Sequence, residues 1–384
     1  MTMPKSPSPL PLLPPDLNLA RASTLESRAY TDPAFLQRER ERIFHTTWQL
    51  VGRTEQVAQP GDFFTAEVQG EPVVVLRDSD GVLRALSNVC RHRGSTVATG
   101  AGRCDVLRCP YHGWTYDRAG RLLGAPEFAG VEDFDRTQVA LPALEVDTYG
   151  PLIFVRVARP DDGDAPSLRD YLGEVCPEVE AWGGSLDGYT YLTRREYVIA
   201  CNWKVYIDNY LEGYHIPIAH PSLFAEIDYR RYVVETRRYH STQRVPLSAR
   251  AGAAQKGEGD ADGRRYSSVR GERGPLYYWV FPNLMLNFYP DNLSTNLVLP
   301  LGPEQTWVLF EWFLPPGSSD ADRTPARAEE IAAFSHQVQL EDITLCENVQ
   351  RGLRSRFYDR GRFCVRRENG VHHFQRLVCE FLGG

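Results

Sequence analysis

Four side chains of the kind that bind metals, placed in two short segments of the first third of the chain, constrain the fold most strongly. They are Cys90 and His92 in NVCRHRGS, and Cys109 and His112 in RCPYHGW. The order is Cys-x-His, then sixteen residues, then Cys-x-x-His. Because each pair is close enough to come from one loop, the spacing predicts a metal centre held between two loops.

Two kinds of metal centre use this set of ligands. A single Zn²⁺ ion accepts two Cys and two His in a tetrahedral site. A Rieske [2Fe–2S] cluster instead takes two Cys on one iron and two His on the other. Gly94, Pro110 and Gly113 allow tight loops whose backbone N–H groups can reach the sulfur atoms of a cluster. The residues alone leave both centres open.

The composition excludes several other classes of protein. The chain has 384 residues, of which 42% are apolar and 24% charged, so we expect a globular protein with two domains. A net charge of −7 gives no reason to expect nucleic-acid or anionic-membrane binding. No apolar stretch approaches the roughly 20 residues of a membrane span, and the proline-rich N-terminus is a poor secretory signal. We therefore expect a cytoplasmic protein.

Changes in composition divide the chain into segments. Asp32-Pro33 predicts the start of a helix. After this helix the sequence consists of short apolar runs separated by turn residues, a pattern that is typical of an all-β domain. The last segment mixes predicted strands (190–200, 276–289, 294–314) with predicted helices (about 167–182, 203–216, 325–351). In chain order the segments are a flexible tail (1–20), a helical lead-in (21–46), a small all-β domain (47–158) and a larger mixed domain (159–384) with a mobile insertion at 250–274.

A second group of metal-binding side chains lies in CNWKVYIDNYLEGYHIPIAHP, which begins at Cys201. Glu212 and His215 are three residues apart, so they share one face of the predicted helix. Pro217 disfavours continuing that helix, so we expect His220 to return from a bend and meet His215. Two histidines and one carboxylate form the facial triad of non-haem Fe(II) oxygenases. The alternative is a structural pair of histidines.

The third ligand follows from the periodicity of the helix predicted at 325–351. At about 100° per residue one buried stripe is predicted, with Asp342 almost at its centre; its members are Ile331, Val338, Leu345 and Val349. A carboxylate on an apolar face is costly unless it is paired or bound to metal. We therefore predict Asp342 as the third ligand, with a buried salt bridge as the alternative. By the same count Glu341 lies well to the side and Glu347 faces the opposite way.

Both groups of residues resemble one family. The paired Cys/His segments resemble the Rieske domain of ring-hydroxylating and related oxygenases. NWK, DNYLEGYH and His220 are similar to the mononuclear-iron motif of their catalytic (alpha) subunits. Respiratory Rieske proteins carry one further Cys in each loop, and Ser95 and Tyr111 occupy those regions here. The resemblance implies an α+β chain, in which a small all-β Rieske [2Fe–2S] domain precedes a helix-grip catalytic domain with an antiparallel sheet.

The resemblance also implies cofactors and roles. One [2Fe–2S] cluster is expected on the four Cys and His residues of the first group, and one mononuclear Fe(II) on His215, His220 and Asp342. In most of the family the acid three residues before the first His is Asp, and here it is Glu212. That acid links an iron-bound His to a Rieske His of the neighbouring subunit, which implies a homotrimer in which Glu212 connects His215 to His112 of another chain. Asp208, one turn earlier, is the rival for this role.

The remaining implied partners are a reductase and a small substrate. The sequence has no phosphate loop or dinucleotide glycine motif, so NAD(P)H and flavin are expected on a separate reductase. Residues 281–303 resemble the corresponding part of choline monooxygenase and related enzymes of quaternary amines. Aromatic residues of neighbouring predicted strands could hold a trimethylammonium group by cation–π attraction, or could pack the sheet core; they are Tyr277, Tyr278, Trp279, Phe281, Phe288 and Tyr289.

The expected function is that of a terminal oxygenase that uses O₂ and electrons from the reductase. The leading substrate is a quaternary amine of the choline, carnitine or betaine type, changed by hydroxylation or oxidative demethylation. Hydroxylation of an aromatic compound by the same machinery is the alternative. A Rieske electron carrier or redox sensor without oxygenase activity is the hypothesis from another class.

Overall fold

The computed structural model describes residues 11–159, 162–163, 166–246, 248 and 275–383. The chain divides into two compact units, the smaller formed by residues 44–171 and the larger by residues 1–43 together with 172–384. The helical lead-in therefore belongs with the larger unit, although the smaller unit separates the two in sequence. The expected mobile insertion at 250–274 and the first ten residues of the expected tail lie outside the described residues.

The smaller unit is built on strands, as predicted. Strand β3 (Glu71–Arg77) lies inside its seven-stranded sheet, and alternate residues of its run Val73–Leu76 pack into two apolar clusters on opposite faces. The sheet order is β1-β10-β9-β4-β3-β2-β5, and β6, β7 and β8 form a separate small sheet. These strands are β1 (Gln49–Arg53), β2 (Asp62–Val68), β3 (Glu71–Arg77), β4 (Leu83–Ser87), β5 (Ala101–Arg103), β6 (Leu107–Arg108), β7 (Thr115–Tyr116), β8 (Leu122–Gly124), β9 (Ala143–Tyr149) and β10 (Leu152–Arg156).

The larger unit contains a seven-stranded antiparallel sheet in the order β11-β17-β16-β15-β14-β13-β12. Two predictions for this sheet were wrong in one respect. The strands predicted at 276–289 and 294–314 are each a pair of strands, because short turns interrupt both segments. The strands are β11 (Thr190–Ile199), β12 (Val233–Thr236), β13 (His240–Arg244), β14 (Leu276–Val280), β15 (Leu284–Tyr289), β16 (Asn292–Gly302) and β17 (Gln305–Leu314).

The helices follow the sequence signals at their starts better than at their ends. Asp32 caps α2 (Pro33–Glu39) by accepting a bond from the Ala34 N–H, and Thr324 caps the long helix α8 (Pro325–Leu353) by accepting one from the Arg327 N–H. The helix predicted at 203–216 ends at Tyr210, and the one predicted at about 167–182 is split in two. The helices are α1 (Arg28–Thr31), α2 (Pro33–Glu39), α3 (Leu168–Leu172), α4 (Val175–Gly183), α5 (Trp203–Tyr210), α6 (Ile216–Ala219), α7 (Pro221–Glu226), α8 (Pro325–Leu353) and α9 (Asn369–Phe381).

A buried ion pair fastens the lead-in to the larger unit. The Lys204 ammonium on α5 lies 2.6 Å from Glu39 on α2, and both side chains are fully buried. The indole N–H of Trp203 donates to the second oxygen of the same carboxylate at 2.7 Å. Two of the residues in the NWK motif therefore hold α2 against α5, the helix that leads to the second metal-binding segment. Within the described ranges no helix has the length and apolarity to cross a membrane.

Candidate metal centres and substrate cavity

The two Cys/His loops of the smaller unit share one backbone turn. Cys90 follows β4 and Cys109 follows β6, and both are 3% exposed. In each loop the Cys N–H donates to the carbonyl five residues later at 2.8 Å, and the glycine four residues later donates back to the Cys carbonyl at 3.1 Å. Gly94 and Gly113, the two glycines concerned, both have φ +74°, a conformation that favours glycine. The sequence therefore builds the same loop twice.

The four side chains of these loops pair by type. Cys90 and Cys109 contact each other, and the rings of His92 and His112 have centroids 4.6 Å apart. Burial raises the pKa of the Cys109 thiol, but N–H groups of its own loop and the Cys90 side chain lower that pKa by a larger amount. The net shift of the pKa is therefore downward. His92 Nδ1 is buried without a hydrogen-bond partner among the described residues. Two adjacent thiols and two adjacent imidazoles suit a [2Fe–2S] cluster better than one tetrahedral ion.

One further side chain reaches this centre. The Tyr116 hydroxyl lies 3.3 Å from Cys90 Sγ and accepts a bond from the Arg91 N–H at 3.0 Å. Burial raises the pKa of Tyr116 well above its usual value, so the phenol keeps its proton and can donate to sulfur. Hydrogen bonds to the sulfur atoms are one of the factors that set a cluster's reduction potential. Tyr116 was not predicted from the sequence.

The second group of metal-binding residues begins where α5 ends. Glu212 turns back on the chain, and its carboxylate accepts bonds from the backbone N–H groups of Tyr214 and His215. A Cβ on Gly213 would lie 2.9 Å from the Tyr232 ring, so this close approach requires glycine. The predicted shared helix face of Glu212 and His215 was therefore wrong. The two side chains meet nevertheless, with His215 Nδ1 2.5 Å from Glu212 Oε1.

Three predicted ligands converge in the larger unit. His220 lies between α6 and α7, and its Nε2 is 3.0 Å from Asp342 Oδ1, while His215 Nε2 is 3.7 Å from the same oxygen. Their ligand atoms all lie within 4.8 Å of one another, and they form the one such group found in the described part of the chain. This donor set fits the 2-His-1-carboxylate triad that binds Fe(II).

Carboxylates hold the far side of both imidazoles. Glu212 contacts Nδ1 of His215, and Glu341 contacts Nδ1 of His220 at 2.6 Å. A proton held on each Nδ1 leaves the Nε2 lone pair free for a metal, which is the usual arrangement around metal-binding histidines. Burial lowers the pKa of His220, but Asp342 and Glu341 raise it by more, so its net shift is upward.

The buried apolar stripe predicted on α8 was partly wrong, and the contact of Glu341 with His220 was not predicted. Val349 is 52% exposed, whereas the polar Gln339 and Gln350 are buried. Gln350 is buried because it binds the Asn202 N–H at 2.9 Å. The apolar residues therefore do not define the buried face by themselves, and Glu341 reaches His220 from a position that periodicity placed to the side.

Asp208, the rival acid, lies in a different environment. It is half-buried and accepts bonds from the Tyr30 hydroxyl at 2.8 Å and from the Gln375 amide at 3.1 Å. Burial raises the pKa of Asp208 to about 7, against the opposing effect of these bonds and of Lys204. Of the two acids, Glu212 is the one that contacts a predicted iron ligand.

A cavity of about 150 Å³ lies beside the three predicted ligands. Seven of its described lining residues are Tyr or Phe, and the lining includes two carboxylates, Glu212 and Asp342, but no described Lys or Arg. Of the six aromatic residues proposed for a cation box, Tyr277 and Tyr289 line the cavity, whereas the other four are buried outside it. The other aromatic lining residues come from α5, α8, β17 and the loop before β12, and they are Tyr206, Tyr210, Tyr232, Phe310 and Phe334.

Comparison with known proteins decides the family. Residues 186–384, more than half of the chain, match the ring hydroxylating alpha subunit (catalytic domain) family, and residues 47–135 match the Rieske [2Fe–2S] domain. The chain belongs to the ring-hydroxylating alpha-subunit family. It is an oxygenase of the Rieske type, and its two domains imply a [2Fe–2S] cluster and a catalytic iron. The predicted family, fold class and enzyme class are confirmed. The two family matches do not support the alternative hypotheses of a zinc site and of an electron carrier without oxygenase activity.

Individual relatives place the chain within this family. Choline monooxygenase of Arabidopsis thaliana is 38% identical over 95% of this chain and 84% of its own length. The carnitine monooxygenase oxygenase subunit of Acinetobacter baumannii is 29% identical over 92% of this chain and 93% of its own. Among solved structures, the quaternary ammonium Rieske monooxygenase CntA with L-carnitine has a TM-score of 0.77 at 28% identity, covering 95% of this chain and 97% of CntA. The chain thus lies in the quaternary-amine branch of its family, as predicted.

Proposed function

We propose that the chain is the terminal oxygenase of a quaternary-amine monooxygenase whose substrate is of the choline type. Its reaction takes one C–H bond of the substrate, O₂, two electrons and two protons, and yields one C–OH group and one water. The aromatic residues of the cavity carry this proposal, since no Lys or Arg is found among its described lining residues, together with the relatives named above. We further propose a cytoplasmic location.

The cavity suits a cation that has no acidic group. Aromatic faces attract a trimethylammonium group by roughly 0.5–2 kcal/mol for each favourable ring. A substrate carboxylate, such as that of carnitine or betaine, would instead lie near Glu212 and Asp342 without a cationic side chain among the described lining residues. Burying a charge without a partner is costly, so the same cavity disfavours a carboxylate.

Each proposed cofactor has a defined set of residues. Cys90, His92, Cys109 and His112 would hold the [2Fe–2S] cluster, and His215, His220 and Asp342 would hold Fe(II). When bound, the cluster supplies electrons and the iron supplies O₂ activation. Glu212 and Glu341 keep a proton on the Nδ1 atoms of the two histidines, and the tyrosine-lined wall excludes water from the substrate's cationic end.

We propose that electrons cross between subunits of a homotrimer, from His112 of one chain through Glu212 of another. His112 is exposed on the smaller unit, next to Tyr111, which is 58% exposed. On the larger unit Ile218, which follows Glu212 closely in sequence, is 87% exposed. Large exposed side chains close in sequence to His112 and to Glu212 support a subunit contact at each. A solved structure of a quaternary ammonium Rieske monooxygenase, 27% identical to this chain, likewise gives insight into inter-subunit electron transfer. A separate reductase would carry the flavin and oxidise NAD(P)H.

A single turnover without reductase tests the substrate. The cluster would be reduced chemically in protein loaded with Fe(II), so that the cluster and the iron would each supply one of the two electrons, and O₂ would be added with choline, L-carnitine, glycine betaine or a simple aromatic acid. Cluster absorbance and product mass are followed together. Oxidation of the cluster with a product from choline is expected. A product from an aromatic acid alone, or from carnitine alone, would contradict the choline-type substrate.

A further inference from the structure

A buried carboxamide on α8 has an unused donor at the substrate cavity. Gln339 is 2% exposed, lines the cavity, and lies three residues before the predicted iron ligand Asp342. Its Oε1 accepts a bond from the Tyr206 hydroxyl at 2.7 Å. Its Nε2 is buried and has no hydrogen-bond partner among the described residues. A buried amide donor without an acceptor is unfavourable, so such a group points to a ligand that supplies one.

Tyr206 fixes which end of the amide is free. In the structure the Tyr206 hydroxyl donates to Oε1 at 2.7 Å, which leaves Nε2 as the end of the amide without a partner among the described residues. With Oε1 engaged by Tyr206, the cavity is the place from which Nε2 can find an acceptor. Tyr206 is thus a positioning residue for Gln339.

Three other side-chain amides described at the cavity wall already donate to acceptors of the protein. Asn209 Nδ2 donates to Asp342 at 2.7 Å, and Gln243 Nε2 donates to the Tyr210 carbonyl at 2.7 Å. Asn287 Nδ2 donates to the Asn296 side chain at 3.1 Å. Among the described residues, Gln339 is the one that lines this cavity and also has a buried polar atom without a partner.

We propose that Gln339 Nε2 donates a hydrogen bond to an uncharged substrate oxygen, the hydroxyl of a quaternary ammonium alcohol. This inference rests on the proposed function and adds the group that selects the alcohol. A neutral amide matches a hydroxyl, whereas a carboxylate would need a cation that the described lining lacks. Because Gln339 and Asp342 are neighbours on one helix, the bond would hold the oxygen-bearing carbon near the predicted iron. The aromatic wall is left for the trimethylammonium group.

Two ligands of the same shape test this contact. Choline and propyltrimethylammonium differ by replacement of the hydroxyl with a methyl group, and calorimetry on the iron-loaded holoenzyme measures both affinities. Wild-type protein is expected to bind choline roughly 10- to 100-fold more tightly, because the analogue leaves Nε2 unpaired. In Gln339→Met, which keeps the side-chain length, the preference should disappear through loss of choline affinity. The affinity for the analogue should stay within about threefold.

A second variant guards against a defect in folding. Tyr206→Phe keeps Gln339 but frees its amide to rotate, so the preference for choline should fall without disappearing. Cluster absorbance and the melting temperature check that both variants are folded. A Gln339→Met protein that keeps the wild-type preference would overturn the role of Gln339. Wild-type protein that binds neither ligand would overturn the proposed function itself, and this inference with it.

Discussion

The carboxylate of Glu212 lies 2.5 Å from Nδ1 of His215, so an acid outside the predicted iron triad holds one of its imidazoles. This contact would be the last link of the electron route proposed above. Replacing Glu212 with Gln removes the charge and keeps the size of the side chain. We expect the variant to retain its cluster and its iron and to lose at least ~100-fold in product formation. The rate of cluster oxidation in the presence of choline and O₂ measures the loss.

Mixed oligomers test whether that route crosses between chains. One chain would carry Cys109→Ala, which prevents the cluster, and the other His220→Ala, which removes an iron ligand. Each homo-oligomer should be inactive. The co-expressed mixture should regain activity, because an intact cluster of one subunit can serve an intact iron site of its neighbour. Activity that stays absent in the mixture would place the whole route within one chain.

Glu341 has a different role from Glu212, although both contact a histidine of the triad. Replacing Glu341 with Ala removes the group that orients His220, and such losses typically weaken metal binding about 10- to 100-fold. We expect low iron content, normal cluster content, and activity that returns when excess Fe(II) is added. The Glu212→Gln protein is the matched control, since added iron should not restore it. Rescue of both variants by iron would remove the distinction.

Tyr116 should tune the cluster. Its hydroxyl lies 3.3 Å from Cys90 Sγ, and loss of a hydrogen bond to sulfur destabilises the reduced, more negative cluster. Tyr116→Phe is expected to lower the reduction potential by tens of millivolts, on the order of one hydrogen bond. Protein-film voltammetry measures it. Tyr111→Phe, which changes the tyrosine beside His112, serves as the control and should leave the potential nearly unchanged.

Asp208 predicts a dependence of stability on pH. Burial raises its pKa from 3.8 to about 7 in the folded protein, so the folded state binds the proton more tightly than the unfolded state. The contribution is fully present below pH 3.8 and is lost as the pH rises through about 7. Relative to Asp208→Asn, the wild type should lose up to ~1.4 kcal/mol of stability per pH unit in this window. Denaturation midpoints of both proteins at pH 5 to 8 measure the difference, and parallel curves would contradict it.

The metal-binding residues could be predicted because their chemistry is local in sequence. Cys90 and His92 come from one loop, as do Cys109 and His112. The two residues of each loop lie close together in sequence, so their proximity does not depend on how the rest of the chain folds. His215 and His220 were expected to meet, and they do. The helix predicted at 203–216 ends at Tyr210, earlier than predicted, and the Glu212 carboxylate then accepts bonds from backbone N–H groups. Helix propensity does not take such side-chain bonds to the backbone into account.

The residues that shape the cavity could not be predicted, because long-range partners decide their burial. Gln339 and Glu341 are polar, so a buried face of α8 that is predicted from apolar residues does not include them. Gln339 is buried because Tyr206, far away in sequence, occupies its carbonyl, and Glu341 reaches His220 across the site. Strand alternation explains why Tyr277 faces the cavity while Tyr278 is fully buried, but the sequence does not say which face is which.

The central claim is that choline is oxidised at a metal held by His215, His220 and Asp342. The most direct measurement is the amount of choline product per chain in a single turnover of cluster-reduced wild type and of Asp342→Ala. We predict a near-stoichiometric product from the wild type, and none from the variant despite a normal cluster spectrum. Equal product from both proteins, or no choline product from iron-loaded wild type, would contradict the account.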